Sequence, residues 1–241
     1  MSAAPPPIAF LYEDDALVVV DKPAGIPVVA APGWPAEACI QGRAAAAVGS
    51  RLWVVHRLDR DTSGVLAFAR TAAAHRALSQ AFERREVAKM YRALVAGIPV
   101  PPDGAIELPL HEARKGKTRP AMPGEAGAKA AHTSYHVLRA WRHDAVAVSL
   151  VEARPATGRH HQIRVHLRAI GAPVLADPVY GRGMQPLPDD HRCPRLALHA
   201  GALDLPHPDG TRRVTVAAAW PPDLAAVTGW LDAGWQVETP A

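Results

Sequence analysis

Residues 52–69 read LWVVHRLDRDTSGVLAFA. The runs 52–55 and 65–69 are short, apolar and rich in β-branched and aromatic residues, which predicts two strands. Between them stand His56, Arg57, Asp59, Arg60 and Asp61, all ionisable. Reversing the chain takes Gly, Asn, Pro or Ser, and Thr62-Ser63-Gly64 already provides that chemistry. The charges ahead of the turn answer to something else. Positive charge beside Asp59 favours its carboxylate form. A carboxylate held that way can serve as nucleophile or base without a cofactor. A structural ion pair at a strand end gives the same local pattern, and the loop alone does not separate the two.

Upstream, 8–12 and 17–20 read as strands around Glu13-Asp14-Asp15, and Asp21-Lys22-Pro23-Ala24-Gly25 ends the pattern. Residues 38–48 are Ala-rich and read as helix. Downstream, Thr71 is placed to cap a helix over 72–86 that carries Leu78, Ala81 and Phe82 at helical spacing. A strand follows over 90–96. Residues 111–131 scatter His111, Arg114, Lys115, Lys117, Arg119 and Lys129 among Gly and Pro, the composition of an exposed basic loop. Strands resume at 133–140 and 145–153. RHHQIRVHLRAIG (159–171) reads as a helix ending near Gly171. Its apolar stripe is Ile163, Leu167 and Ile170, with His160, Arg164 and Arg168 on another face. Strands at 196–205 and 213–219 and a helix at 222–232 complete the chain. Strands and helices mix without a regular βαβ alternation, which predicts an α+β fold with a largely antiparallel sheet. A loose tail over 1–7 and one domain over 8–241 are expected.

The chain has 241 residues, 49% of them hydrophobic, enough for a packed core. A net charge of +4 and a pI near 9.3 suit either a polyanionic partner or a slightly basic enzyme. Cys39 and Cys193 lie far apart in sequence and read as free thiols of a reducing cytoplasm. No apolar run is long enough to span a bilayer, and the N-terminus lacks the pattern of a signal peptide. Three histidine-bearing stretches invite a metal: His160-His161 with His166, His191 with Cys193, and His199 with His207. None has zinc-ligand spacing, so no metal is expected. Ser63-Gly64 lacks the GxSxG frame of a nucleophilic serine. Glycine-rich phosphate loops are absent, so no nucleotide cofactor is expected.

Four segments, in order, carry a resemblance. HRLDRDTSGVLAFAR (56–70) resembles the aspartate-bearing motif of the RluA-type RNA pseudouridine synthases. KMYRALVAG (89–97) resembles that family's Lys-x-Tyr strand. ATGRHHQIRVHLRAIGAPVLADPVYG (156–181) and RLALHA (195–200) resemble its later motifs, and LYEDDALVVVDKPAG (11–25) fits its first hairpin. His160 stands where the family has Thr, Ala172 where it has His, and Ala176 where it has Gly. Only seven residues precede the first hairpin, as in the compact branch that lacks an N-terminal RNA-binding domain.

The resemblance implies a pseudouridine synthase fold: a mixed, largely antiparallel bent sheet flanked by helices, with a central catalytic cleft. It implies isomerisation of uridine to pseudouridine in a tRNA or large-subunit rRNA stem-loop, by a monomer, with no cofactor. Asp59 would be the catalytic carboxylate, Arg164 its buried bidentate partner, and Tyr91 the ring against the target base. Arg57 would fill the gap left by the flipped uridine, beside His56, and Leu198 would wall the pocket. Arg114, Lys115, Lys117, Arg119 and His160 would face RNA. Attack of Asp59 on the base, attack on the sugar, and proton abstraction all remain open. So does a second class, an RNA-binding or ribosome-assembly protein without catalysis, against which the intact Asp59, Tyr91 and Arg164 speak.

Overall fold

The computed structural model describes residues 8–113, 116–181 and 186–238; the tail expected over 1–7 lies outside them. The chain begins with β1 (Ala9–Glu13), β2 (Leu17–Lys22), α1 (Ile40–Val48), β3 (Trp53–Val54), β4 (Ser63–Ala69) and α2 (Ala72–Glu83). Then come β5 (Ala88–Ala96), β6 (Asp103–Ile106), β7 (Leu110–Ala113), β8 (Lys117–Pro120), β9 (Thr133–His143), β10 (Val146–Pro155) and α3 (Gln162–Ala169). The last elements are β11 (Leu198–Pro206), β12 (Arg213–Ala217), α4 (Pro222–Gly234) and β13 (Gln236–Glu238). The fold is α+β, and the registered strand pairs are antiparallel.

The chain clusters into two compact units. The first is Met1–Lys89 with Ala200–Ala219, the second Met90–His199 with Trp220–Ala241. In the first, strands run in the order β1-β2-β4-β11, with β12 on β11 and β3 on β4. Alternate residues of a strand face opposite ways. Leu17 and Val19 of β2, Val65, Ala67 and Ala69 of β4, and Leu203 and Leu205 of β11 therefore form one face. They pack with Ala74, Leu78 and Ala81 of α2. Thr71 caps that helix as its sequence predicts, its side chain accepting the Ala74 N–H at 3.1 Å. All seven residues of β4 are buried, so its opposite face is covered as well.

In the second unit the order is β5-β10-β9-β13, with β6 on β9 and β7-β8 as a separate hairpin. Ile163 and Leu167 of α3 and Leu224, Val227 and Leu231 of α4 pack into the same core as Leu94, Val137, Trp141 and Val151. The apolar stripe read on α3 is therefore its core face, and Ile170 packs against it. Three elements escaped the sequence reading: β6, β13 and the β7-β8 hairpin. The first two are short and their side chains do not alternate cleanly, so no period marks them.

Candidate active site

The charged loop that follows β3 is built from main-chain contacts. Lys22, at the end of β2, is fully buried. Its Nζ donates to the carbonyls of Pro23, Arg60 and Thr62, each at 2.8 Å. Three donors thus meet three acceptors, the full complement of an ammonium group. The Arg60 carbonyl also accepts the Gly25 N–H at 2.9 Å, and the Asp59 carbonyl accepts the Thr62 N–H at 3.2 Å. The turn 59–62 is closed by its own backbone and anchored by Lys22 from beneath. Gly64, next on β4, has φ +112°, and a Cβ there would collide with the Ala200 backbone, whose carbonyl carbon and nitrogen lie 2.7 Å away. Only glycine lets β11 approach so closely. Leu58, Thr62 and Ser63 are buried, Arg57 is exposed and Asp59 lies between.

Arg60 turns to Asp61, its Nε and Nη2 donating to the two carboxylate oxygens at 2.9 and 3.0 Å. This forked pair is exposed, so it contributes little stability.

His56, expected to face RNA, has work inside its own unit. Its Nε2 accepts the Ala67 N–H at 3.0 Å, and its ring stacks on Phe82 with centroids 4.7 Å apart. Burial, then the nearby Lys89 charge, pushes its pKa down to about 3. A histidine depressed in the folded state takes up its proton in the unfolded chain first. Its stabilising contribution is complete above about pH 6.5 and is lost progressively as pH falls toward 3. Replacement by Gln retains an acceptor and removes the titration. The stability lost between pH 7 and pH 5, measured by urea unfolding, should therefore be smaller in His56→Gln by about 1 kcal/mol or more. An equal loss in both proteins would mean that His56 protonates as freely folded as unfolded.

In the second unit, Arg164 of α3 is almost fully buried. Its Nε donates to Asp177 Oδ2 at 2.7 Å and its Nη2 to Asp177 Oδ1 at 2.8 Å. Asp177 Oδ1 also accepts the N–H groups of Val179 and Tyr180, at 2.8 and 2.9 Å. Burial pushes the Asp177 carboxyl up, but the Arg164 guanidinium and these two N–H groups outweigh it and hold it below the usual range. The guanidinium carbon lies 5.1 Å from the centroid of the Tyr180 ring. Sequence reasoning named Arg164 but passed over Asp177. The signal lay in Ala176-Asp177-Pro178, where an acid between a small residue and proline marks a turn rather than a site.

Ala176 itself sits at φ +54°, in the left-handed region, where the resembling family has glycine. An L-residue there costs about 1–2 kcal/mol, partly offset because Gly loses more backbone entropy on folding. Ala176→Gly should stabilise by about 0.5–1 kcal/mol and raise the Tm by roughly 2 °C. An unchanged or lower Tm would show the strain to be absent.

Buried polar side chains fix the start of α3. Gln162 Oε1 accepts from Thr157 Oγ1 at 2.7 Å and from the Arg159 N–H at 3.0 Å. Its Nε2 donates to the His132 carbonyl and to Thr133 Oγ1, both at 2.9 Å. His166, expected among the metal-tempting histidines, uses both ring nitrogens: Nε2 faces the Leu108 carbonyl and Nδ1 faces Thr133 Oγ1, each at 3.0 Å. Only a proton on Nε2 satisfies a carbonyl there, so Nδ1 accepts. His160 lies ahead of the helix rather than on its face. Its ring stacks on His161 at 3.6 Å, and its Nδ1 lies 3.1 Å from Thr118 Oγ1.

That last contact corrects the expected basic loop. Strands β7 (Leu110–Ala113) and β8 (Lys117–Pro120) pair antiparallel, with Leu110 and Thr118 buried. The basic residues here are interleaved with acids. Arg119 forks onto Glu125, at 2.8 Å from Nη1 and 2.5 Å from Nη2, and Lys129 pairs with Glu112 at 2.9 Å. Lys117 is exposed. Arg114 and Lys115 lie outside the described residues. Tyr91 stands opposite Ala153 on β10 and packs against the core cluster that contains Leu198, itself buried. Cys39 and Cys193 are free thiols, both buried. No helix among the described residues is long and apolar enough to cross a membrane.

Residues 16–169 match the family model described as RNA pseudouridylate synthase. Over 92% of the chain, 38% of residues are identical to a protein named ribosomal large subunit pseudouridine synthase D, from Nitrosomonas europaea, of which the chain spans 64%. The identity is again 38% to an uncharacterized RNA pseudouridine synthase of Mycobacterium bovis, over 90% of this chain and 70% of that one. Among solved structures, human RNA pseudouridylate synthase domain containing 4 superposes with a TM-score of 0.74 at 27% identity, covering 97% of this chain and 95% of its own.

Proposed function

Because this chain belongs to the RNA pseudouridylate synthase family, we propose that it isomerises uridine to pseudouridine in a stem-loop of large-subunit ribosomal RNA, with Asp59 as the catalytic carboxylate. The observation that carries this reading is the loop of Asp59. A buried lysine and a closed turn fix the main chain at 59–62 while the Asp59 side chain stays partly accessible. A structural ion pair needs no such fixing of the backbone, whereas a carboxylate that meets a substrate atom does.

The reaction breaks the bond between ribose C1′ and uracil N1 and forms one between C1′ and C5. The proton leaving C5 is balanced by one gained at N1. Oxidation state and atom count are unchanged, so the residues required are a carboxylate, a cation and a surface for the detached base. Asp59, Arg164 and Tyr91 take these parts. Arg57, exposed beside Asp59, is suited to fill the stack that the flipped nucleotide leaves. Lys117, exposed at the start of β8, binds phosphate. Ribosomal RNA is preferred as substrate because the relative from Nitrosomonas europaea carries that substrate in its name.

The test is a map of pseudouridine in ribosomal and transfer RNA from cells with and without the gene. One or a few ribosomal positions should revert to uridine, and return with the wild-type chain but not with Asp59→Asn. A map that differs only in transfer RNA moves the substrate. A map without change, with unmodified ribosomal and transfer RNA inert to the purified protein, ends the reading.

A further inference from the structure

Tyr180 belongs to no role assigned above, yet β7, β8 and α3 meet at it. It is buried, in a cluster with Leu110 of the hairpin, Ala131 and Val165 of α3. Its hydroxyl accepts the backbone N–H of Thr118, on β8, at 2.8 Å. The same oxygen lies 2.9 Å from Nδ1 of His161, the residue that caps α3. One hydroxyl thus joins β8 to the residue at the start of α3. The Tyr180 backbone N–H holds Asp177 and its carbonyl takes Arg168 Nη1 at 2.7 Å. Its ring lies against the guanidinium of Arg164.

We propose that Tyr180 is a positioning residue through which the β7-β8 hairpin sets the Arg164–Asp177 pair, so that RNA gripped at the hairpin bears on the orientation of Arg164. This rests on the reading of Arg164 as the cation of an isomerase site. The physical argument is one of shared atoms. Thr118 gives its N–H to Tyr180 rather than to a neighbouring strand, so a shift of β8 cannot occur without breaking that bond or moving the ring. Moving the ring carries the Tyr180 N–H away from Asp177 and the aromatic face away from Arg164. The guanidinium is gripped on its Nε edge by Asp177 and on its face by Tyr180, and both grips belong to residues 177–180. A rigid link of this kind transmits displacement where a solvated hairpin would absorb it.

Tyr180→Phe tests the link, because it keeps the ring and removes both bonds of the hydroxyl. Two measurements are made. The first is hydrogen exchange of the Arg164 Nε–H by NMR, its resonance identified by its loss in Arg164→Lys. The second is the single-turnover rate on a stem-loop beside its affinity. Exchange should accelerate about tenfold or more, and the rate should fall by a similar factor with RNA affinity within about twofold. Thr118→Pro removes the N–H donor from the hairpin side. It should accelerate exchange likewise, and combining it with Tyr180→Phe should add nothing further. Thr118→Val keeps the N–H and should leave exchange unchanged. Should Thr118→Pro fail to fold, Tyr180→Phe and Thr118→Val decide between them. Unchanged exchange in Tyr180→Phe, or additive effects in the double variant, overturns the proposal. Faster exchange in a protein that modifies no RNA leaves the link standing and removes the isomerase reading instead.

Discussion

Replacing Asp59 with asparagine stops isomerisation, by about a thousandfold or more, and leaves RNA affinity within about tenfold of wild type. The substitution is nearly isosteric. The contacts that shape the loop run from Lys22 to main-chain carbonyls and from Thr62 N–H to the Asp59 carbonyl, and asparagine keeps them all. An amide neither attacks carbon nor takes a proton at neutral pH, so chemistry is lost without loss of form. RNA is held chiefly through phosphates, which a change of one side chain among many leaves in place. The measurement is pseudouridine formed under single-turnover conditions, beside filter binding of the same stem-loop. A well-folded Asp59→Asn protein that turns over at a near-normal rate moves the catalytic carboxylate to another residue.

Arg164→Ala has the second large effect, and it falls on stability and activity together. The Asp177 side chain has no solvent exposure. Without Arg164 its charge keeps two N–H donors but loses its cation, at a cost of roughly 3–5 kcal/mol. That corresponds to a fall in Tm of about 10 °C. The position should also distinguish charge from shape. Arg164→Lys keeps the charge but gives a single point donor where the two Asp177 oxygens are spaced for a fork. It should recover part of the stability and less of the activity. Urea unfolding and single-turnover rates check both variants. Normal stability in Arg164→Ala would mean that Asp177 accepts burial without a cation, and the site would need another anchor.

Much of this was legible in the sequence, for a reason visible in particular residues. The strands β2, β4, β5 and β9, the Thr71 cap and the apolar stripe of α3 are local patterns, set by spacing along the chain, and they stand where their spacing puts them. Asp59, Tyr91 and Arg164 stand in motifs where several residue types recur in order, and the roles proposed for them rest on those motifs. What remained hidden is partnership. Lys22 reads as an ordinary charge before a proline, and only the fold brings the carbonyls of Arg60 and Thr62 to its nitrogen. Asp177 reads as a turn residue because its partner is thirteen positions away on a helix. The hairpin reads as a solvated loop because its exposed cations outnumber its anchors. Leu110 and Thr118 look unremarkable until Tyr180 and Val165 are placed against them. His56 reads as part of a charged cluster, yet Phe82 and the Ala67 N–H make it a neutral packing residue.

The Lys22 clamp bears on how this site tolerates change over many generations of substitution. It grips carbonyl oxygens, and every amino acid carries one. Side chains at Arg60 and Asp61 can therefore drift, exchange charge or adapt to a new RNA surface while the chain beneath them keeps its path. The cost of that freedom is concentrated elsewhere. No other side chain offers three donors on so long and slender a stem, and no residue with a Cβ fits beside Ala200 at position 64. A saturation library over position 22 and positions 56–64 should thus tolerate variety at 60 and 61, while Lys22 and Gly64 admit no replacement. Such a library offers a route to new substrates that leaves the chemistry where it is.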